Sequence, residues 1–230
     1  MNPFSVHCAS PFLVASFPQP QAVLSWSLTR PGFAEVSSVA WLYVRDDDLS
    51  MDVDPALLLR KSMESAGLTD AVHLMTSRDI TKHHMSQVSF GRATATCLAT
   101  VGLGNAVRVG SAPVAHQDVG TINLLVHVDR PLSQAALVET ISIVAQARTV
   151  AMIDLPWKPS GLAVTGTGTD CIVVATPIHP DMEQFAGLHT DIGAAVGRAV
   201  YDAVWSGGNV WIAEQQRTEA RSTCALAPPD

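Results

Sequence analysis

Thr121-Ile122-Asn123-Leu124-Leu125-Val126-His127-Val128, then a helical stretch from Ser133 to about Ile153, then Cys171-Ile172-Val173-Val174-Ala175-Thr176, is the run that decides the fold. Consecutive apolar, β-branched residues are expected in strands covered on both faces. Between the two runs, Leu137, Ile141, Val144 and Val150 mark an apolar helical stripe, and Ala135, Ala136, Ala145, Ala147 and Ala151 permit close packing. Outward from this unit, Ala93–Val101 reads as another buried strand. Ala22–Leu28 and Ser38–Val44 are β-prone runs separated by a turn at Arg30-Pro31-Gly32. Asp54-Pro55 predicts a helix to about Ala66, capped by Asp54 and stopped at Gly67, and a short helix is expected from Asp79. A last helix, Thr190 to about Trp205, lines up Ile192, Val196, Ala199, Val200, Ala203 and Val204, while Gly193 and Gly197 admit a close neighbour.

This order predicts a single α/β (or α+β) domain, a mixed β-sheet packed by helices, over residues 21–208, with strand directions left open. A Pro- and Ser-rich leader is expected at 1–20, and a poorly ordered polar tail at 209–230.

At 230 residues the chain can bury a full core without disulfides or a structural metal. Acids outnumber bases 21 to 14 and no Lys/Arg run breaks the balance, which excludes broad phosphate-backbone binding to nucleic acid. Cys8, Cys97, Cys171 and Cys224 lack zinc-ligand spacing, and Asp46-Asp47-Asp48 reads as a solvated loop, so no metal site is read. The longest apolar runs are about half of a bilayer span. No membrane partner is expected, and the chain is read as cytoplasmic.

Three segments combine glycine with polar groups. In Thr100–Gly110, which includes Gly102-Leu103-Gly104-Asn105, the backbone can approach a ligand, with Asn105 and Arg108 as donors; as a dinucleotide fingerprint it is weak. Gly120-Thr121-Ile122-Asn123 places an amide among apolar residues, where it needs a partner. Thr165-Gly166-Thr167-Gly168-Thr169-Asp170, between two apolar runs, offers amides, hydroxyls and one carboxylate; a hairpin with an Asx-type turn is the structural alternative. Thr190 can cap the last helix, which leaves His189 at a helix start, where it is read as a base. His83 and His84 are read as pointing apart on a helix. G-x-S-x-G, H-E-x-x-H and P-loop motifs are absent.

Taken in order, Val23-Leu24-Ser25, His73-Leu74-Met75-Thr76, Ala99–Gly102 with Asn105, Gly120–Asn123, Ala147-Arg148-Thr149, Thr165–Asp170, and Ala186-Gly187 with His189-Thr190 and Gly193 resemble the adenosylcobinamide amidohydrolase family of corrinoid salvage. The resemblance covers about residues 22–207. The chain departs from it at Ala145-Gln146-Ala147-Arg148, where members often carry Thr-Glu-Ala-Lys, and at Pro31-Gly32-Phe33, where they carry Gly-Gly. It implies hydrolysis of the amide between aminopropanol and the corrin f side chain, releasing adenosylcobyric acid. The cobalt corrinoid is then the small-molecule substrate rather than a cofactor, and a homo-oligomer is compatible with it. The reaction needs an activated water, oxyanion donors and a proton for the amine. On this reading Asp170 or His189 activates water, or Thr165 or Thr169 is a nucleophile. Backbone N–H groups of the Gly166–Thr169 loop, including Gly168, or Asn105 hold the oxyanion. His73, Arg108, Thr121, Asn123 and Thr190 contact substrate. The competing class is a corrinoid-binding module without catalysis.

Overall fold

The run 121–176 folds as a parallel unit: β8 (Ile122–Val128), α2 (Gln134–Asp154) and β10 (Cys171–Pro177), with Leu125 opposite Val173 in register. These elements belong to a computed structural model that describes residues 2–45, 48–49, 52–112, 119–159 and 161–225, of which 219 and 221–225 by backbone alone. The remaining strands are β1 (Ser5–Ala9), β2 (Phe12–Ser25), β3 (Gly32–Tyr43), β4 (Val72–Thr76), β5 (His84–Phe90) and β6 (Ala93–Val101), with a two-stranded ribbon of β7 (Ala106–Val107) and β9 (Gly166–Thr167). The helices besides α2 are α1 (Pro55–Ser65) and α3 (Asp191–Ala225).

Eight strands form one mixed sheet in the order β4-β3-β2-β10-β8-β6-β5, with β1 on β2. α2 and α3 cover one face through Leu137, Val144, Met152, Val196, Ala199 and Val200. On the other face the β1–β4 side folds over the centre of the sheet, so that Leu13, Trp41, Val72 and Leu74 meet Leu98, Leu125 and Val173 in a second core. α1 closes the outside over Ala40 and Leu42 with Leu59 and Met63. The mixed α/β domain expected from the sequence is therefore observed.

Local signals explain the helix ends. The Asp54 carboxylate accepts from the N–H groups of Ala56 and Leu57, and Gly67 takes φ +70° beyond the last turn of α1. Ser133 accepts from Ala136 N at 3.2 Å, and Thr190 Oγ1 from Gly193 N at 2.9 Å. The apolar stripe of α2 is rotated from that expected: Ile143, Thr140 and Met152 are buried and Val150 is exposed. By length and composition α2 could cross a membrane, but it packs against β10 and α3.

Residues 2–20, expected as a leader, instead join the sheet and its core. Ser5–Ala9 and Phe12–Ser16 pair as β1 and β2, and Phe4, Leu13, Ala15 and Phe17 are core. Pro18 and Pro20, which disguise the strand, fall in the irregularity between the Ser16 and Gln21 pairings, where no ladder N–H is needed. Nor does the structure break at 209: α3 continues, and Trp211 packs edge-on against Trp157 at 4.9 Å between centroids. Gly207-Gly208, inside α3, makes room for Val101 and Leu155. The final Ala227-Pro228-Pro229-Asp230, like Asp46 and Asp47, lies outside the described residues. His83 and His84 are not helical; His83 ends the 3-10 turn Ile80–Lys82 and His84 begins β5.

Candidate functional site

Strand direction places the site. β8 and β10 start, and antiparallel β6 ends, at the same edge of the sheet, so Gly102–Asn105, Gly120–Asn123 and Gly166–Asp170 converge there. They are stitched together: Gly102 N donates to Thr121 O (2.9 Å), Thr121 Oγ1 to Thr169 O (2.8 Å), and Thr169 Oγ1 to Gly120 O (3.0 Å). A Cβ on Gly120 would stand 2.6 Å from Gly104 N, so this contact between loops requires glycine.

The folded-over layer supplies the opposite wall. Asn123 Nδ2 donates to Met75 O on β4 at 2.7 Å, and Ser27, in the turn after β2, donates to His73 O at 2.7 Å. Between the layers lies a cavity of about 480 Å³, a size usual for small-molecule sites. His73, Asn105, Thr121, Asn123, Thr169 and Asp170 give it polar groups, with Gly168 beside them; Trp26, Leu28, Leu49, Leu59 and Val119 give it an apolar side.

His73 is 5% exposed. Its Nε2 lies 2.8 Å from Leu68 O, and because a carbonyl only accepts, this bond assigns the proton to Nε2. Nδ1 is then the acceptor, and it is buried without a partner. Burial lowers the pKa, as does the charge of Arg30, against the opposing bond to Leu68. The ring is thus neutral at pH 7 with a free lone pair, as a general base requires.

Asp170 is differently placed. Its carboxylate accepts from Arg148, from the hydroxyl and N–H of Thr167, and from Ile122 N at 3.1 Å. Burial raises its pKa, while Arg148 and these donors oppose the rise. A carboxylate holding four donor groups closes the Gly166–Asp170 bend; the water-activating role expected of it does not fit that geometry.

A family model described as adenosylcobinamide amidohydrolase matches residues 2–216. The chain belongs to this family. The match takes in β1 and most of α3, beyond the segments that carry the sequence resemblance, and it places the protein among amide hydrolases. Across 221 residues the chain is 25% identical to the uncharacterized protein MJ1613 of Methanocaldococcus jannaschii, covering 84% of this chain and 83% of that one. Over 113 residues it is 30% identical to an adenosylcobinamide amidohydrolase of Halobacterium salinarum, covering 46% of each. Among solved structures, the PH0078 protein of Pyrococcus horikoshii aligns with TM-score 0.43 at 10% identity, over 88% of this chain and 77% of that one. A Burkholderia beta-aminopeptidase aligns with TM-score 0.41 at 12% identity, over 86% and 77%.

Several expected residues of the family pattern lie elsewhere. His189 and Thr190 follow the far end of β10, in a surface depression with Glu139 and Gln146, so His189 is not the base for this cleft and Thr190 serves as a helix cap. Thr165 is tied to β7, donating its N–H to Val107 O at 3.0 Å, and its hydroxyl accepts from Val109 N at 2.7 Å; it does not line the cavity. Arg108 turns outward to Ala163 O. Gly166 lies under the bend, where a Cβ would stand 2.6 Å from Asp170 Oδ2. Gln146, at the position of the family glutamate, is exposed and bonds Ser142. Residues two apart on a helix point apart, so Gln146 faces away while Arg148 reaches Asp170.

Sequence reasoning missed Arg148 as the partner of Asp170, and Trp26 and Ser27 as wall residues. Arg148 carried a signal: it is the one Lys or Arg in α2, and a lone base on an apolar helix points to a buried acid.

Proposed function

We propose that the protein hydrolyses the amide joining aminopropanol to the corrin f side chain of adenosylcobinamide, yielding adenosylcobyric acid for cytoplasmic corrinoid salvage. Family membership supports the reaction class, and the observation that carries the mechanism is His73, whose Nδ1 has no partner, among the polar residues that line the cavity.

In this reading Nδ1 takes a proton from water as its oxygen adds to the amide carbon. The oxyanion is held by the side-chain amide N–H of Asn105, which lines the cavity, and by N–H groups of the Gly168-Thr169 turn. As the C–N bond breaks, the His73 imidazolium returns its proton to the leaving nitrogen, which departs as 1-amino-2-propanol. Thr121 and Asn123 orient the side arm. Thr169 is not the nucleophile, since its hydroxyl donates to Gly120 O and no base accepts from it. Asp170 and Arg148 hold the bend in place.

The test is to incubate the purified protein with adenosylcobinamide and follow the corrinoid by mass. Loss of aminopropanol, abolished in His73→Gln, supports the reading. Tight binding with unchanged mass overturns it in favour of a corrinoid-binding module.

A further inference from the structure

The cleft has more apolar wall than an aminopropanol arm can cover. Trp26 opens the turn between β2 and β3 and is 46% exposed, although its Nε1–H is fixed, donating to Asp170 O at 2.9 Å. Leu28 is 61% exposed. Ser27 between them is buried and bonded to the His73 carbonyl. The turn is thus tied to both walls while its two large apolar side chains stand at the mouth, and Val119 and Leu49 extend the surface. An exposed apolar patch beside a polar pocket marks a binding surface, and an indole already held rigid loses little entropy on contact. With the short polar arm on the floor, the macrocycle to which it is joined, whose methyl groups and ring carbons stand between its amide arms, comes to lie at the mouth.

We propose that Trp26, with Leu28, is the seat of the corrin ring and determines specificity for ring-bearing amides. This assignment rests on the corrinoid amide proposed above as the substrate. The indole bond to Asp170 O holds that seat beside the Thr169–Asp170 turn.

The experiment measures kcat and KM for adenosylcobinamide, and the Kd of adenosylcobyric acid, which keeps the ring and lacks the arm, for wild type, Trp26→Ala, Trp26→Phe and Leu28→Ala. Circular dichroism checks each fold. In Trp26→Ala, KM and the Kd should both rise about tenfold or more with kcat within about threefold. Trp26→Phe, which keeps an aromatic face without the N–H, should hold the Kd within about threefold of wild type. Leu28→Ala, at an exposed site where folding is not at risk, should raise the Kd about threefold. An unchanged Kd in Trp26→Ala and Leu28→Ala overturns the seat, as does a fall in kcat alone or a Trp26→Phe loss equal to that of alanine. If wild type binds adenosylcobyric acid but leaves adenosylcobinamide intact, hydrolysis fails while the Kd series still decides the seat.

Discussion

Replacing Arg148 with Met leaves the Asp170 carboxylate buried and without its countercharge. The two side chains are 18% and 6% exposed, so little water can enter to compensate. Removing one partner of a buried pair costs about 3–5 kcal/mol. The low end is expected here, because Thr167 and the Ile122 N–H still bond the carboxylate. A loss of about 3 kcal/mol, if it resides in the charged form, equals a further rise of about two units in the Asp170 pKa. Proton linkage sets the sign. Asp170 is already raised in the folded state, so between its unfolded and folded pKa the native protein binds the extra proton and stability falls as pH rises. The variant widens that window upward. Its deficit relative to wild type should be full well above the variant's Asp170 pKa and shrink as pH falls through it. Urea denaturation from about pH 8 to about pH 5 reads this directly. Arg148→Met/Asp170→Asn, with no buried charge, should show a difference from wild type far less dependent on pH across that range. A deficit under about 1 kcal/mol, or one equal at both ends of the range, refutes the account.

His73→Gln should lower kcat/KM by about a hundredfold or more, and in wild type the acidic limb of kcat/KM should have its midpoint below 6.5, because burial lowers the His73 pKa; a midpoint above that value removes His73 as base. Gly193→Ala brings a Cβ within 2.1 Å of Gly187 O, a backbone atom, whereas at Gly197 the nearest atom is Ile143 Cγ2 at 3.9 Å. The first should cost about 3 kcal/mol or more and the second should gain about 0.5–1 kcal/mol through helix propensity, both read by denaturant midpoints. His127 is pushed down to about 4 from 6.5 by burial. The unfolded chain therefore binds more protons between those values, and stability should fall by up to about 3 kcal/mol as pH drops across the window, with a shallower slope in His127→Gln.

The parts of the fold visible in the sequence are those fixed by near neighbours. Asp54, Ser133 and Thr190 each cap a helix with a side chain two or three residues from its target, and β6, β8 and β10 are buried on both faces, so composition alone marks them. β1, β4 and β5 leave weaker traces. β5 alternates half-buried and exposed residues that include His84 and Gln87, and β4 is five residues long with a histidine inside. At the other end of the chain, Trp211 is core because α3 passes Val101 and Leu155 at Gly207-Gly208, a long-range contact without a local signature.

The site divides along the same line. The glycine-rich segments were legible as places where the backbone approaches something, and three of them meet. Which end of the sheet each loop occupies depends on strand direction, and the order of elements leaves that open. Asp170 stands just before β10 and His189 beyond its far end, so the two line different depressions. α2 returns the chain from the far end of β8 to the start of β10, which carries Arg148, late in the helix, back to Asp170. His73 reaches the cleft only because the β1–β4 side folds over the centre of the sheet and puts Met75 against Asn123. In the proposed mechanism, a base drawn from one layer and an amide floor drawn from the other make catalysis depend on the packing between them. Loosening the Leu74–Leu125 core should therefore depress activity before it unfolds the protein.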